Sequence, residues 1–148
     1  MTRVIAIASG GGHWQQMLEM RPAYEDCDVL YLTTLDGLPQ QAGLERFDII
    51  RDCNRNEPVN VARTAARLMR IIRREKPDVI LSTGALPGVM ALGIGKLFGA
   101  RTIWVDSVAN AEELSMSGKL ARRVADLWLS QWPDVAKQSG ADYAGSIL

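Results

Sequence analysis

A mainly parallel α/β sheet with helices on both faces is the fold this sequence predicts. Three observations predict it: short continuous apolar runs recur along the chain, segments with helical periodicity separate them, and glycines, prolines and Asp or Ser residues punctuate the joins. Parallel strands are buried on both faces and so read as unbroken apolar runs, and each return to the next parallel strand needs a crossover, which supplies the covering helix. The first strand is Val4–Ala8, ended by Ser9-Gly10-Gly11-Gly12 and followed at once by a helix over His13–Arg21. Asp28–Thr33 reads as a second strand, Asp36–Gly43 as a loop and Phe47–Arg51 as a third strand. A long helix over Val59–Arg74 puts Val61, Ala65, Leu68 and Ile72 on one face and Arg63, Arg67, Arg70 and Arg74 on the opposite one, and Pro77 stops it. Asp78–Ser82 is a fourth strand, Leu86–Phe98 a helix closed by Gly99, Arg101–Val105 a fifth strand, Ser117–Ala125 a helix and Leu127–Gln131 a sixth strand. The order is Rossmann-like, and residues 1–148 form one domain.

Composition narrows the function classes. With 17 Lys+Arg against 17 Asp+Glu the formal charge is zero, which excludes a generic nucleic-acid binder, since those need a basic surplus to release phosphate counterions. Cys27, Cys53 and the lone His13 have no chelating spacing, so no metal site is expected and the cysteines fit a reducing cytoplasm. The N-terminus runs Met-Thr-Arg straight into a strand, without the charged and long apolar regions of a secretory signal. Val79–Gly95 is 17 residues without a charge, but Ser82, Thr83, Pro87 and four glycines make it a strand, a loop and a buried helix rather than a membrane span. No cofactor is expected. The dinucleotide fingerprint fails because Gln15 stands where its third glycine belongs, and Gly95-Lys96 and Gly118-Lys119 lack the first glycine of a P-loop.

In sheets of this kind ligands gather outside the carboxyl ends of the strands, which here means Ser9–His13, Ser82–Gly88, Asp106–Lys119 and Gln131–Pro133. Gly10, Gly11 and Gly12 stand where a strand passes into a helix, so free backbone N–H groups can hold a phosphate or pyrophosphate; a tight turn needing only backbone freedom is the alternative. His13 opens beside them. It is either a base acting on a hydroxyl at neutral pH or a helix-start histidine bonded to backbone. Ser82-Thr83-Gly84 is a second loop able to donate to an anion or sugar, or a plain strand-to-helix turn. Asp106, Ser107, Asn110, Ser117 and Lys119 form a dense polar run in which Asp106 is a base, a sugar-hydroxyl acceptor or a turn cap. The four arginines are a solvated face or a contact with anionic lipid headgroups.

Ser9-Gly-Gly-Gly-His13, Asp78-Val-Ile-Leu-Ser-Thr-Gly84, Trp104-Val-Asp-Ser107, Leu114-Ser-Met-Ser-Gly-Lys119, Ala125-Asp126 and Gln131-Trp-Pro133 together resemble the Alg fourteen family of oligosaccharide biosynthesis proteins, including the bacterial PssD-like exopolysaccharide members. That family is similar in turn to the N-terminal half of the MurG-type GT-B glycosyltransferases. The resemblance implies one half of a split, inverting GT-B enzyme. This chain would bind the acceptor, a polyprenyl-diphosphate-linked saccharide, and a separate donor-binding subunit would bind the UDP-sugar. The catalytic residues it implies are His13, as base for the acceptor hydroxyl, and Asp106. Ser9, Gly10, Gly11, Gly12, Thr83 and Gly84 would face the diphosphate, while Ser107, Asn110, Ser117, Gly118 and Lys119 would line the cleft. Eukaryotic members carry an N-terminal membrane helix not seen in this sequence, so membrane contact is expected from the surface, the partner or the arginine face, at the cytoplasmic side of the cell membrane. A non-catalytic scaffold that activates a partner transferase, and a free-standing nucleotide-binding protein, are the competing readings.

Overall fold

The computed structural model describes residues 1–147. Seven strands form one all-parallel sheet in the order β3-β2-β1-β4-β5-β6-β7. In chain order the elements are β1 (Arg3–Ala8), α1 (Gly12–Glu19), a 3-10 turn (Arg21–Tyr24), β2 (Asp28–Thr33), α2 (Leu38–Gln41), β3 (Phe47–Ile49) and α3 (Pro58–Glu75), followed by β4 (Val79–Ser82), α4 (Leu86–Leu97), β5 (Arg101–Val105), α5 (Met116–Ala121), β6 (Leu127–Ser130), α6 (Pro133–Ser139) and β7 (Asp142–Tyr143). The chain builds outward from β1 in one direction to β3, then returns to β4 and builds in the other direction to β7. That reversal opens a crevice between the carboxyl ends of β1 and β4, because the connections leaving those two strands depart to opposite faces.

Both faces of the sheet are buried, which is why its strands read as apolar runs rather than alternations. Ile5, Ile7, Leu32, Ile80 and Trp104 pack on one side against Leu68, Ile71 and Ile72 of α3 and Leu92 of α4. Ala6, Ala8, Tyr31, Leu81 and Val105 pack on the other against Trp14 and Met17 of α1. A Cβ on Gly95 would overlap the Ile80 side chain, so that glycine lets α4 lie close on the sheet.

Several element boundaries differ from the sequence expectation. The first helix ends at Glu19 rather than Arg21, since Pro22 lacks an N–H and disfavours helix at the residue before it, and the chain tightens into the 3-10 turn. The expected loop 36–43 contains the single turn α2. The helix expected over Ser117–Ala125 is α5, which starts a residue earlier on its cap Ser115 and ends at Ala121, where Arg123 and Val124 bond three residues back instead of four. On α3 the buried residues are Thr64, Leu68, Ile71 and Ile72, so the buried stripe is rotated slightly from the one expected through Val61 and Ala65. The helix α6 and the two-residue β7 were not anticipated, although Pro133 at the start of α6 and Gly140 in the left-handed region at its end are the ordinary start and stop signals.

Candidate active site

The carboxyl ends of β1 and β4 bring Ser9–His13 and Thr83–Gly84 together. Gly11 has φ +73 and caps α1 without any side-chain hydrogen bond, so the first amides of the helix are left for an outside acceptor. A Cβ placed on Gly11 or Gly12 would meet nothing within 4 Å, so this corner presents bare main chain to open space, whereas Gly10 is closed from below by Leu35 and Leu38. Open amides at the positive end of a helix are the usual ground for holding an anion.

His13 is half-buried and fixed twice to the β4–α4 loop. Its backbone carbonyl accepts from Thr83 Oγ1 at 2.6 Å, and its Nδ1 lies 3.1 Å from the Thr83 carbonyl oxygen. A carbonyl can only accept, so in the neutral ring Nδ1 carries the proton and Nε2 keeps its lone pair. Nε2 has no protein partner among the described residues. Gly84 makes this placement possible, because a Cβ there would overlap the Nδ1 edge of the imidazole. The next residue, Ala85, has φ +73 and ψ 162, a conformation costly for any residue with a Cβ. Replacing Ala85 by glycine is expected to raise stability by about 1 kcal/mol, read as an upward shift of the urea midpoint.

Asp106 sits differently. It is 1% exposed, and both carboxylate oxygens are engaged: Oδ1 accepts from Trp104 Nε1 (3.1 Å) and Ser115 Oγ (2.7 Å), and Oδ2 from Asn110 Nδ2 (3.1 Å) and Ser115 N (3.0 Å). That geometry makes Asp106 the hub that shapes the loop between β5 and α5, with each of its two oxygens already accepting from two protein donors. Gly118 belongs to the same cluster: its N–H donates to Ser115 Oγ at 2.8 Å, and a Cβ on it would overlap the Asp106 carboxylate. Ser107 Oγ accepts from Gln16 Nε2 at 3.0 Å, which joins this loop to α1. Ser117 is half-buried on α5. Lys119 pairs with Glu113 at 3.0 Å and borders a cavity of about 310 Å³ with Trp128 and Val135 between α5 and α6, not the glycine corner. Of the expected site residues, the structure therefore unites Ser9–His13, Thr83 and Gly84 in one group and Asp106, Asn110 and Gly118 in a second, held together by Ser115, with Ser107 between them.

The Arg63, Arg67, Arg70 and Arg74 side chains are all exposed on α3. Arg67 pairs with Asp48 at 2.8 Å and Arg74 with Glu75 at 2.9 Å, while Arg63 and Arg70 have no carboxylate partner among the described residues. No described helix is long and apolar enough to cross a membrane.

Sequence reasoning missed the buried glutamine pair behind His13, Gln16 and Gln131. The sequence named Gln131 only as part of the strand-end segment Gln131–Pro133, and gave no sign that Gln16, a polar residue between the apolar Trp14 and Met17, would be buried with it.

A family profile described as "Oligosaccharide biosynthesis protein Alg14 like" matches residues 44–147. The chain belongs to the Alg14-like family. The glycine corner and His13 lie ahead of the matched span, but a Yarrowia lipolytica Alg14-like protein aligns with 99% of this chain at 26% identity, covering 81% of its own length. A Schizosaccharomyces pombe relative is 38% identical over 79 residues, 48% of this chain and 37% of that one. Both are named UDP-N-acetylglucosamine transferase subunits. Among solved structures, MurG of Acinetobacter baumannii superposes on 99% of this chain with a TM-score of 0.76 at 16% identity, and the chain spans 44% of MurG. A Staphylococcus aureus MnaA structure with UDP matches 94% of the chain with a TM-score of 0.67. The Alg14-like chain thus has the Rossmann-like fold found in GT-B glycosyltransferases.

Proposed function

We propose that the chain is the acceptor-binding and membrane-recruiting subunit of a two-component inverting glycosyltransferase. The complete enzyme moves a sugar from a UDP-sugar to a polyprenyl-diphosphate-linked saccharide. The observation that carries this reading is His13 in a fixed tautomer, with Nε2 unpartnered, beside an uncapped helix start of bare glycine backbone. Gly10–Gly12 and the start of α1 bind the diphosphate, and Nε2 takes the proton from the acceptor hydroxyl as that oxygen attacks the anomeric carbon opposite the leaving UDP. Thr83 and Gly84 hold the ring for that transfer. The donor site belongs to a separate partner chain, in line with the relatives' description as transferase subunits.

The test is His13→Ala in the complex with the partner transferase. General acid–base catalysis contributes about 10²–10⁴-fold, so transfer is expected to fall by that factor while co-purification with the partner is unchanged. Unchanged turnover would reject His13 as the base and favour the scaffold reading.

Recruitment to the inner face of the cell membrane is assigned to the arginine face of α3, chiefly to Arg63 and Arg70, whose charges no carboxylate offsets among the described residues. Each basic residue near an anionic surface contributes about 1 kcal/mol. The double variant Arg63→Glu/Arg70→Glu is therefore expected to bind phosphatidylglycerol vesicles at least about thirtyfold more weakly in co-sedimentation, with neutral phosphatidylcholine vesicles as the control. Equal binding by variant and wild type would return α3 to a solvated face.

A further inference from the structure

Two buried glutamines lie behind His13 and take no part in the chemistry above. Gln16, on α1 one turn after His13, is 8% exposed, and Gln131, at the end of β6, is 3% exposed. Gln131 Nε2 donates both to Gln16 Oε1 at 2.6 Å and to the Asp106 carbonyl oxygen at 2.9 Å, and Gln131 Oε1 accepts from Ile147 N at 2.9 Å. Gln16 Oε1 also accepts from Val108 N at 3.1 Å, and Gln16 Nε2 donates to Ser107 Oγ at 3.0 Å. The orientation of Gln131 is fixed by chemistry alone. Turned over, its oxygen would face two carbonyl oxygens and its NH₂ would face the Ile147 N–H, losing three hydrogen bonds at once.

The pair therefore joins three places that the backbone leaves separate: the helix that carries His13, the loop after β5, and the segment Ala144–Ile147. That segment follows the last strand, lines a small cavity together with Met20, Val105 and Leu129, and packs Ile147 on the α1 side of the sheet. Among its hydrogen bonds to the rest of the chain, the one from Ile147 N reaches this network. A displacement of Ile147 removes the acceptor's donor at Gln131, and Gln131 shares its amide with Gln16. A partly satisfied buried network is unstable relative to its rearrangements, so the disturbance passes along it.

We infer that Gln131 is a positioning residue that couples the placement of segment Ala144–Ile147, through Gln16, to the helix holding His13. The inference rests on the proposed role of His13 only for its significance to catalysis; the coupling itself is a property of this chain.

Nuclear magnetic resonance on the isotopically labelled chain tests it through two readouts, the exchange protection of the Val108 amide and the His13 Cε1–H resonance. Ile147→Pro removes the N–H whose hydrogen bond Gln131 Oε1 accepts, and Ile147→Ala, which trims the same partly buried side chain but keeps the N–H, separates that loss from a loss of packing. Gln131→Glu sets a carboxylate against two carbonyl oxygens and regains an O–H donor only when protonated. Ile147→Pro and Gln131→Glu are expected to lower Val108 protection about tenfold and to move the His13 resonance, and acidification is expected to return the Gln131→Glu chain toward wild type. Ser139→Ala, on α6, is the control expected to change neither. If Ile147→Pro leaves Val108 protection and the His13 resonance at their wild-type values, the coupling is refuted, and that variant decides the matter alone should Gln131→Glu fail to fold. Neither readout needs turnover, so this failure is distinct from an active His13→Ala complex, which would remove the base and leave the coupling intact.

Discussion

Asp106→Ala is expected to lower the stability of the chain by about 3–5 kcal/mol, enough to unfold a marginal domain at moderate urea. The substitution strands four donors at once: the indole N–H of the fully buried Trp104, the Asn110 amide, and the backbone N–H and hydroxyl of Ser115. Desolvated donors without acceptors cost about 1–3 kcal/mol each, discounted here because Asn110 and Ser115 are partly exposed and can turn to water. Asp106→Asn keeps one oxygen and turns an NH₂ toward two of the four donors, so an intermediate loss is expected. Urea unfolding followed by tryptophan fluorescence measures both. The pattern separates hub from base: a proton acceptor in the reaction would give an Asn variant that is stable and inactive, whereas a hub gives one whose residual activity tracks its folded fraction. A loss below about 1 kcal/mol for Asp106→Ala would show that the carboxylate does not hold this loop.

Gly84→Ala is expected to reduce transfer by at least about a hundredfold while the complex still assembles, the scale of loss that a misplaced reacting group produces. The added methyl overlaps the Nδ1 edge of the imidazole, so the ring must leave the Thr83 carbonyl. It then loses the hydrogen bond that fixes its tautomer. Comparison with His13→Ala is informative because both remove the same function by different routes, and the double variant is expected to be no worse than His13→Ala alone. Additive losses would mean that Gly84 acts on something other than His13.

How much of this was legible in the sequence depends on the range of the interaction. The parallel strands and the long helix were visible because each is a local apolar pattern, and the glycine corner and His13 were visible because a strand, three small residues and a helix follow one another directly. Helix α6 was missed for want of length, and β7 for want of any periodicity in two residues. At the site, the residues left Asp106 open as a base, a sugar-hydroxyl acceptor or a turn cap, and the family resemblance put Asp106 and Lys119 in the cleft. The carboxylate is instead consumed by neighbours within nine residues of it, and the lysine is turned to Glu113. Those preferences are set by side-chain directions that no spacing encodes. The glutamine pair is separated by 115 positions, and nothing short of the folded sheet brings it together.

The unfurnished corner at Gly11 and Gly12 carries a lesson about selectivity. Main-chain amides grip whatever bears the right charge and are blind to the glycan attached beyond it. Under the proposed function, a chain built this way would hold the diphosphate shared by many acceptors in one fixed grip, and discrimination among sugars would fall to the surrounding loops, which could diversify without loosening that hold.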